Sequence, residues 1–209
     1  MTIESAARAP AESAGAAGLR ALAEELEHWA VLPSVIYPRN LDDFLEGPRR
    51  ICTLASLPLD RAEAVLAGVA ARERFALVNI DTCPGFGRDD TALSHLAQLG
   101  AAGVLSTRLA TIQRARQLGL VAVQIMFVTD RSAVAKGLAA VRSATPHLVQ
   151  FMPAPVLGHL SPAQRGALGR FFVSGFVQHP DDVAAARALG AIGASSSSSE
   201  LWTLERAQG

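Results

Sequence analysis

Two groups of residues carry most of the chemistry this chain can offer. The first is Ser174-Gly175-Phe176 at the end of one apolar run and Ser195-Ser196-Ser197 at the end of the next. A glycine that lets backbone approach closely, with three hydroxyls nearby, forms an uncharged donor set suited to a phosphate. The alternative for the serine run is a low-complexity linker. The amphipathic segment Leu201-Trp202-Thr203-Leu204 that follows favours the ordered reading. The second group is Asp81, Ser106, Thr107, Arg108, Gln124, Asp130 and Gln150, polar residues at the ends of other β-branched runs. Asp81 and Asp130 are either ligand contacts or caps of the helices that follow them. Arg108 stands where a cation opposes a helix dipole, which favours a ligand role.

Other chemistries lack their residues. His28, His95, His147, His159 and His179 show no HxH or HExxH spacing, so no metal site is assigned. No GxGxxG or GxxxxGK[ST] loop is present, and no cofactor is assigned. Cys83 has no base beside it and is not read as a nucleophile. Its loop, Cys83-Pro-Gly-Phe-Gly-Arg88, is either an ordinary connection or a turn that carries Phe86 or Arg88 over a binding mouth. Nothing fixes the separation of a carboxylate pair, so no catalytic residue is assigned.

These residues need elements that bring them together. Apolar runs fall at 30–36, 50–57, 75–81, 103–107, 121–128, 148–152, 171–176 and 191–195, several without a polar break, as strands buried on both faces require. Helical runs at 59–72, 89–99, 110–118, 132–143, 161–168 and 180–189 alternate with them. Gly100, Gly119 and Gly190 each follow a helix-ending leucine, where a left-handed residue stops the helix. This alternation predicts an α/β fold, a compact (β/α)8 TIM-type barrel with an additional N-terminal helix; a doubly wound sheet is the competitor. About 22 residues per unit leave no room for large insertions. Residues 1–18 read as a loose tail and 19–209 as a single barrel domain. Leu19, Leu22, Leu26 and Trp29 form the apolar stripe of the first helix, which either plugs the barrel or meets a protein partner. In the barrel, the polar strand ends gather at the C-terminal face, where loops seven and eight form the usual phosphate cup.

Composition narrows the class. The chain has 209 residues, half of them hydrophobic, with 19 basic and 19 acidic side chains. A balanced charge gives no global footprint for nucleic acid or an anionic membrane, though it leaves room for a local patch. Arginines 108, 114, 116, 131 and 142 are the candidates for one, and ordinary solvated helix positions are the reading favoured for them. No apolar run reaches the ~18 residues of a membrane span. Two cysteines far apart, Cys52 and Cys83, suit a reducing cytoplasm.

The blocks Gly103-Val-Leu-Ser-Thr-Arg108, Val123-Gln-Ile-Met-Phe127 with Asp130, Met152-Pro153, Ser174-Gly-Phe-Val177 and Ser195-Ser-Ser with Leu201-Trp202 occur in an order and spacing that resemble the glycerol-3-phosphate-responsive antiterminator family. The resemblance runs from Leu32-Pro33 to Trp202. It implies a barrel that binds glycerol-3-phosphate, or a similar phosphorylated small molecule, and acts on leader mRNA of glycerol-utilisation genes without turnover. Ligand-dependent dimerisation would be one way to transmit the signal. The family's phosphate positions carry over to Gly175, Ser195, Ser196 and Ser197, and its polyol-side positions to Asp81, Ser106, Arg108 and Gln124. Asp130 and Ser174 complete the expected site. The family reads Gln-Arg where this chain has Gln124-Ile125, and Glu where it has Gln150. These two departures are expected to be one lost ion pair. The competing function is a barrel enzyme acting on a phosphorylated metabolite, with Asp81 or Asp130 as general base.

Overall fold

The structure, a computed structural model, describes residues 13–87 and 89–205. In chain order its elements are α1 (Ala14–His28), β1 (Val31–Ile36), α2 (Leu41–Glu46), β2 (Ile51–Ala55), α3 (Leu59–Ala70), β3 (Phe75–Asn79), α4 (Asp90–Gln98), β4 (Gly103–Ser106), α5 (Leu109–Gln117), β5 (Val121–Phe127), α6 (Arg131–Ala144), β6 (Leu148–Met152), α7 (Pro162–Gly166), β7 (Phe171–Ser174), α8 (Pro180–Ala188) and β8 (Ala194–Ser196). The strands are parallel and close in sequence order, with β8 returning to β1 through Leu32↔Ser195 and Pro33↔Ser196. The expected barrel is therefore the fold, with its N-terminal helix.

The apolar residues divide into two cores, and this division orients every strand. One core lies between sheet and helices and includes Leu66, Leu93, Ile112 and Leu138 with Val78, Val104, Ala122, Met126, Val149 and Val173. The other fills the lumen with Leu32, Ile51, Leu77, Leu105, Val121, Val123, Ile125, Leu148 and Phe172. Successive residues of a strand point to opposite faces, so each polar strand residue can be assigned from its neighbours. Gly100, Gly119 and Gly190 have φ of 86°, 73° and 99°, the left-handed stops expected after their helices.

Helix α1 closes the N-terminal end of the barrel. Leu22 and Leu26 enter the lumen core, so the stripe is a plug rather than a surface for a protein partner. Their burial stabilises the docked helix by about 1.5–3 kcal/mol each. Close approach depends on two glycines: a Cβ on Gly15 would lie 1.9 Å from the Gly119 carbonyl oxygen, and one on Gly18 2.5 Å from Ala102 Cβ. Behind the plug, Arg49 Nε donates to Glu25 Oε2 at 2.6 Å, while its Nη1 donates to the carbonyls of Val31 and Trp202. Burial lowers the Arg49 pKa and the adjacent Glu25 carboxylate opposes that shift.

Several boundaries differ from the sequence reading. Helix α1 starts at Ala14, with the Ser13 hydroxyl accepting from the Ala16 N–H, so positions 14–18 of the expected tail are helical. Helix α2 was not expected; it is one short turn-and-a-half whose only buried residue is Phe44, too brief to show a 3.6-residue period. Ser195 and Ser196 lie in β8, and the segment after them is a 3-10 turn, Ser199–Leu201, instead of a longer helix. Among the described residues no helix is long and apolar enough to cross a membrane.

Candidate functional site

None of the eight strands contains a charged residue. Above the lumen core the inward positions are instead neutral and polar. Thr53 follows lumen-facing Ile51, Asn79 follows Leu77, Gln150 follows Leu148, and Ser174 follows Phe172. Ser195 stands opposite Leu32 and beside Ser174 in the register. Gln150 Nε2 donates to Ser174 Oγ at 2.8 Å. Three buried polar atoms of this belt, Asn79 Oδ1, Gln150 Oε1 and Ser195 Oγ, have no hydrogen-bond partner. Buried polar groups call for partners, so these three atoms are available to bond a ligand or water at the mouth. Sequence reasoning passed over Thr53 and Asn79, and counted Gln150 among the polar strand ends without placing it in the expected ligand set.

The opposite wall holds the second group, whose Asp81 carboxylate and Ser106 and Thr107 hydroxyls bond one another, while Gln124 Oε1 is buried without a partner. Asp81 accepts from Ser106 Oγ at 2.8 Å, from Thr107 N–H at 2.7 Å and from Thr107 Oγ1 at 2.8 Å. Ser106 Oγ in turn accepts from the Arg108 N–H at 3.1 Å. Gln124 Nε2 donates to the carbonyls of Ser106, Thr107 and Ile125. The structure thus brings Asp81, Ser106, Arg108 and Gln124 together, but as a brace across β3, β4 and β5. Ser106 and Gln124 share the parity of Val104 and Ala122 and face the helices. That placement puts Ser106 and Gln124, expected at the polyol side of the strand C-terminal face, on the helix side of the sheet. Gln124 borders a cavity of about 360 Å³ beneath α6, together with Ile125 and Lys136.

Asp130 is the N-cap of α6, accepting from the Ser132 and Ala133 N–H groups at 2.7 and 3.0 Å. Its hydrogen bonds, foremost from the Ser132 side chain, hold the carboxyl below its ordinary pKa and make it a poor proton acceptor. Both carboxylates proposed as bases therefore serve turns. Burial raises the pKa of Cys52 and Cys83, so neither thiol is poised as a thiolate. Phe86 is half-buried against the outer core and borders a cavity together with Asp81, while Arg88 lies outside the described residues. Among the described residues no group of three His, Cys, Asp or Glu could hold a metal.

At the expected phosphate cup, Gly175 has φ 76° and Phe176 φ 61°, a reversal whose first residue suits glycine. The Gly175 carbonyl accepts from the Ala154 N–H at 3.2 Å, tying loop seven to loop six. The three serines take different duties. Ser195 faces the lumen; Ser196 donates to the Val177 carbonyl at 2.8 Å and receives Trp202 Nε1 on its own carbonyl at 2.8 Å. Ser197 is exposed at the rim, and its carbonyl accepts from Asn40 Nδ2, which also bonds the Ser34 carbonyl and so laces β8 to β1. Of the three serines expected to add hydroxyl donors, Ser196 thus already bonds within the fold. Among the described residues the segment after β8 is a single 3-10 turn, Ser199–Leu201.

Comparison with known proteins decides the lineage of this barrel. The profile described as "Glycerol-3-phosphate responsive antiterminator" matches residues 31–202, from the first strand to Trp202. The chain belongs to that family. Among solved structures, the glycerol uptake operon antiterminator regulatory protein from Listeria monocytogenes superposes with a TM-score of 0.77 at 23% identity, over 83% of this chain and 94% of that one. A glycerol uptake operon antiterminator-related protein from Thermotoga maritima gives 0.72 at 18% identity, over 85% and 99%. Deoxyribose phosphate aldolase from Aeropyrum pernix gives 0.63 at 13% identity, over 93% and 97%, a likeness of fold alone. No curated protein sequence matches. In this chain the lumen positions Ile125 and Gln150 are direct register partners on β5 and β6.

Proposed function

We propose that this protein is a glycerol-3-phosphate-responsive regulator, in which a small phosphorylated polyol binds at the strand C-terminal face and its occupancy alters contact with leader mRNA. The observation that carries the reading is the neutral belt of Asn79, Gln150 and Ser195, each with an unpartnered atom, of which Gln150 and Ser195 adjoin Ser174 before the Gly175 turn. Two amide oxygens and a hydroxyl accept hydrogen bonds from a polyol's O–H groups. The main-chain turn at Gly175, with Ser197 at the rim, offers the phosphate uncharged donors. Arg108, exposed at the start of α5, is the nearest family position able to supply a positive charge.

The test is a thermal-shift series with glycerol-3-phosphate, glycerol, inorganic phosphate and several sugar phosphates. At 100 times its Kd, a ligand stabilises the fold by about 2.7 kcal/mol, or roughly 5–11 °C in Tm for a domain of this size. Ser195→Ala removes an unpartnered hydroxyl, so it should leave the unliganded Tm unchanged or higher and shrink the ligand-induced shift. Failure of every phosphorylated compound to raise Tm overturns the proposal.

A further inference from the structure

The 19 basic and 19 acidic residues balance over the whole chain but not around the barrel. Residues 91–180 hold eight cations, Arg108, Arg114, Arg116, Arg131, Lys136, Arg142, Arg165 and Arg170, and one acid, Asp130. The rest of the chain holds eighteen acids and eleven cations. Because the strands close in sequence order, a stretch of sequence becomes a sector of the cylinder. Residues 91–180 thus form one contiguous wall, β4 to β7 with α5, α6 and α7 outside them. The zero net charge conceals a barrel with one basic side.

Some of these cations are occupied. Arg114 pairs with Asp90 at 3.1 Å on the border of the sector, Arg116 bonds the Thr145 carbonyl, and Arg165 the Leu160 carbonyl. Arg108, Arg131, Lys136, Arg142 and Arg170 are exposed and have no ion pair or side-chain hydrogen bond among the described residues. On α6, Arg131 and Arg142 stand about three turns apart on one flank and Lys136 on the outward face. The single acid of the sector is bonded to the backbone at the start of that helix.

A second observation falls in the same sector. The exposed large apolar side chains are Leu59, Leu109, Phe127 and Phe176, and both aromatics belong to residues 91–180, at the rim where β5 and β7 end. Phe176 is 73% exposed in a left-handed conformation that a bulky side chain rarely adopts. Phe127 borders the same cavity as Lys136, while Phe176 stands farther along the rim against α8 and its Asp182. Unpaired cations and exposed aromatic rings in one sector match a partner with a phosphate backbone and unstacked bases. We infer that the α5–α6 wall, with Phe127 and Phe176 at its rim, is the face that contacts RNA. This rests on the regulatory reading above. A second copy, offering its acidic side to this wall, is the competing occupant.

Binding of a glycerol-operon leader transcript to the full chain tests the inference, measured by fluorescence anisotropy from about 50 to 200 mM salt. The variant Arg131→Ala/Lys136→Ala/Arg142→Ala is compared with Arg61→Ala/Arg72→Ala/Arg187→Ala, which removes the same charge from outside the sector. Alanine suits helix interiors, and an unchanged Tm checks the fold of each variant. The α6 variant should bind roughly tenfold or more weakly at low salt, with its log–log salt slope reduced by about 2–3. The control should bind like the unaltered protein. Phe176→Ala should weaken binding roughly 5- to 100-fold without changing the slope. Equal losses in both triple variants, or no loss in the α6 variant, overturn the assignment of the face and leave the regulatory reading standing. No binding by the unaltered protein at the lowest salt overturns both. Self-association that disappears in the α6 variant, with RNA binding retained, assigns the wall to a second copy and overturns the inference.

Discussion

Ile125 and Gln150 offer the sharpest test of how the neutral lumen works. They are 7% and 9% exposed and lie opposite each other on β5 and β6 with their side chains on the same face. Ile125→Arg places an uncompensated guanidinium among Val123, Leu148 and Met152, a perturbation of about 3–5 kcal/mol. At roughly 2–4 °C per kcal/mol, Tm should fall by about 6–20 °C. Gln150→Glu alone costs less, because the Ser174 hydroxyl that now accepts from Gln150 can turn and donate to a carboxylate. If the two positions form one electrostatic unit, the double variant recovers up to about 3 kcal/mol relative to the sum of the single losses. Urea unfolding of the four proteins closes the cycle. Additivity within about 0.5 kcal/mol would show that the charges do not meet, and the idea of a single exchanged ion pair would fail.

Two further predictions concern the scaffold. Glu25→Gln leaves Arg49 buried without its counter-charge and should cost about 3–5 kcal/mol in denaturant unfolding; a Tm within about 2 °C of the unaltered protein contradicts this. His147 accepts the Ala122 N–H on Nδ1 at 3.0 Å, and burial together with Arg116 lowers its pKa. Its neutral form is favoured in the fold, so its contribution to stability is present above the unfolded value of about 6.5 and is lost as pH falls from about 7 towards 5. His147→Asn keeps an acceptor and should flatten that part of the pH–stability curve; an unchanged slope refutes the assignment.

The site was legible in the sequence as a location more than as a set of contacts. The blocks around Gly175 and Ser195 converge on the mouth, as their place at the ends of the last two strands requires. Asp81 and Asp130 were equally visible as ligands or caps, and both turned out to accept backbone N–H groups. Gln124 and Gln150 look alike in sequence, each a single amide within an apolar strand, yet one faces the helices and the other the lumen. The charge asymmetry of residues 91–180 was present in the order of the letters, but only closure of the sheet in sequence order made it a surface.

The alternation of apolar strands and helices and the glycine stops determined the barrel, because these are local properties of a chain that must bury both faces of a parallel sheet. What tertiary structure alone decided was facing. A strand buried on both sides carries no polar alternation, so its sequence does not say which residues look inward. Register and the plugging helix settle that question, and with it the neutral belt, the bracing role of Gln124 and the partnership of Ile125 with Gln150.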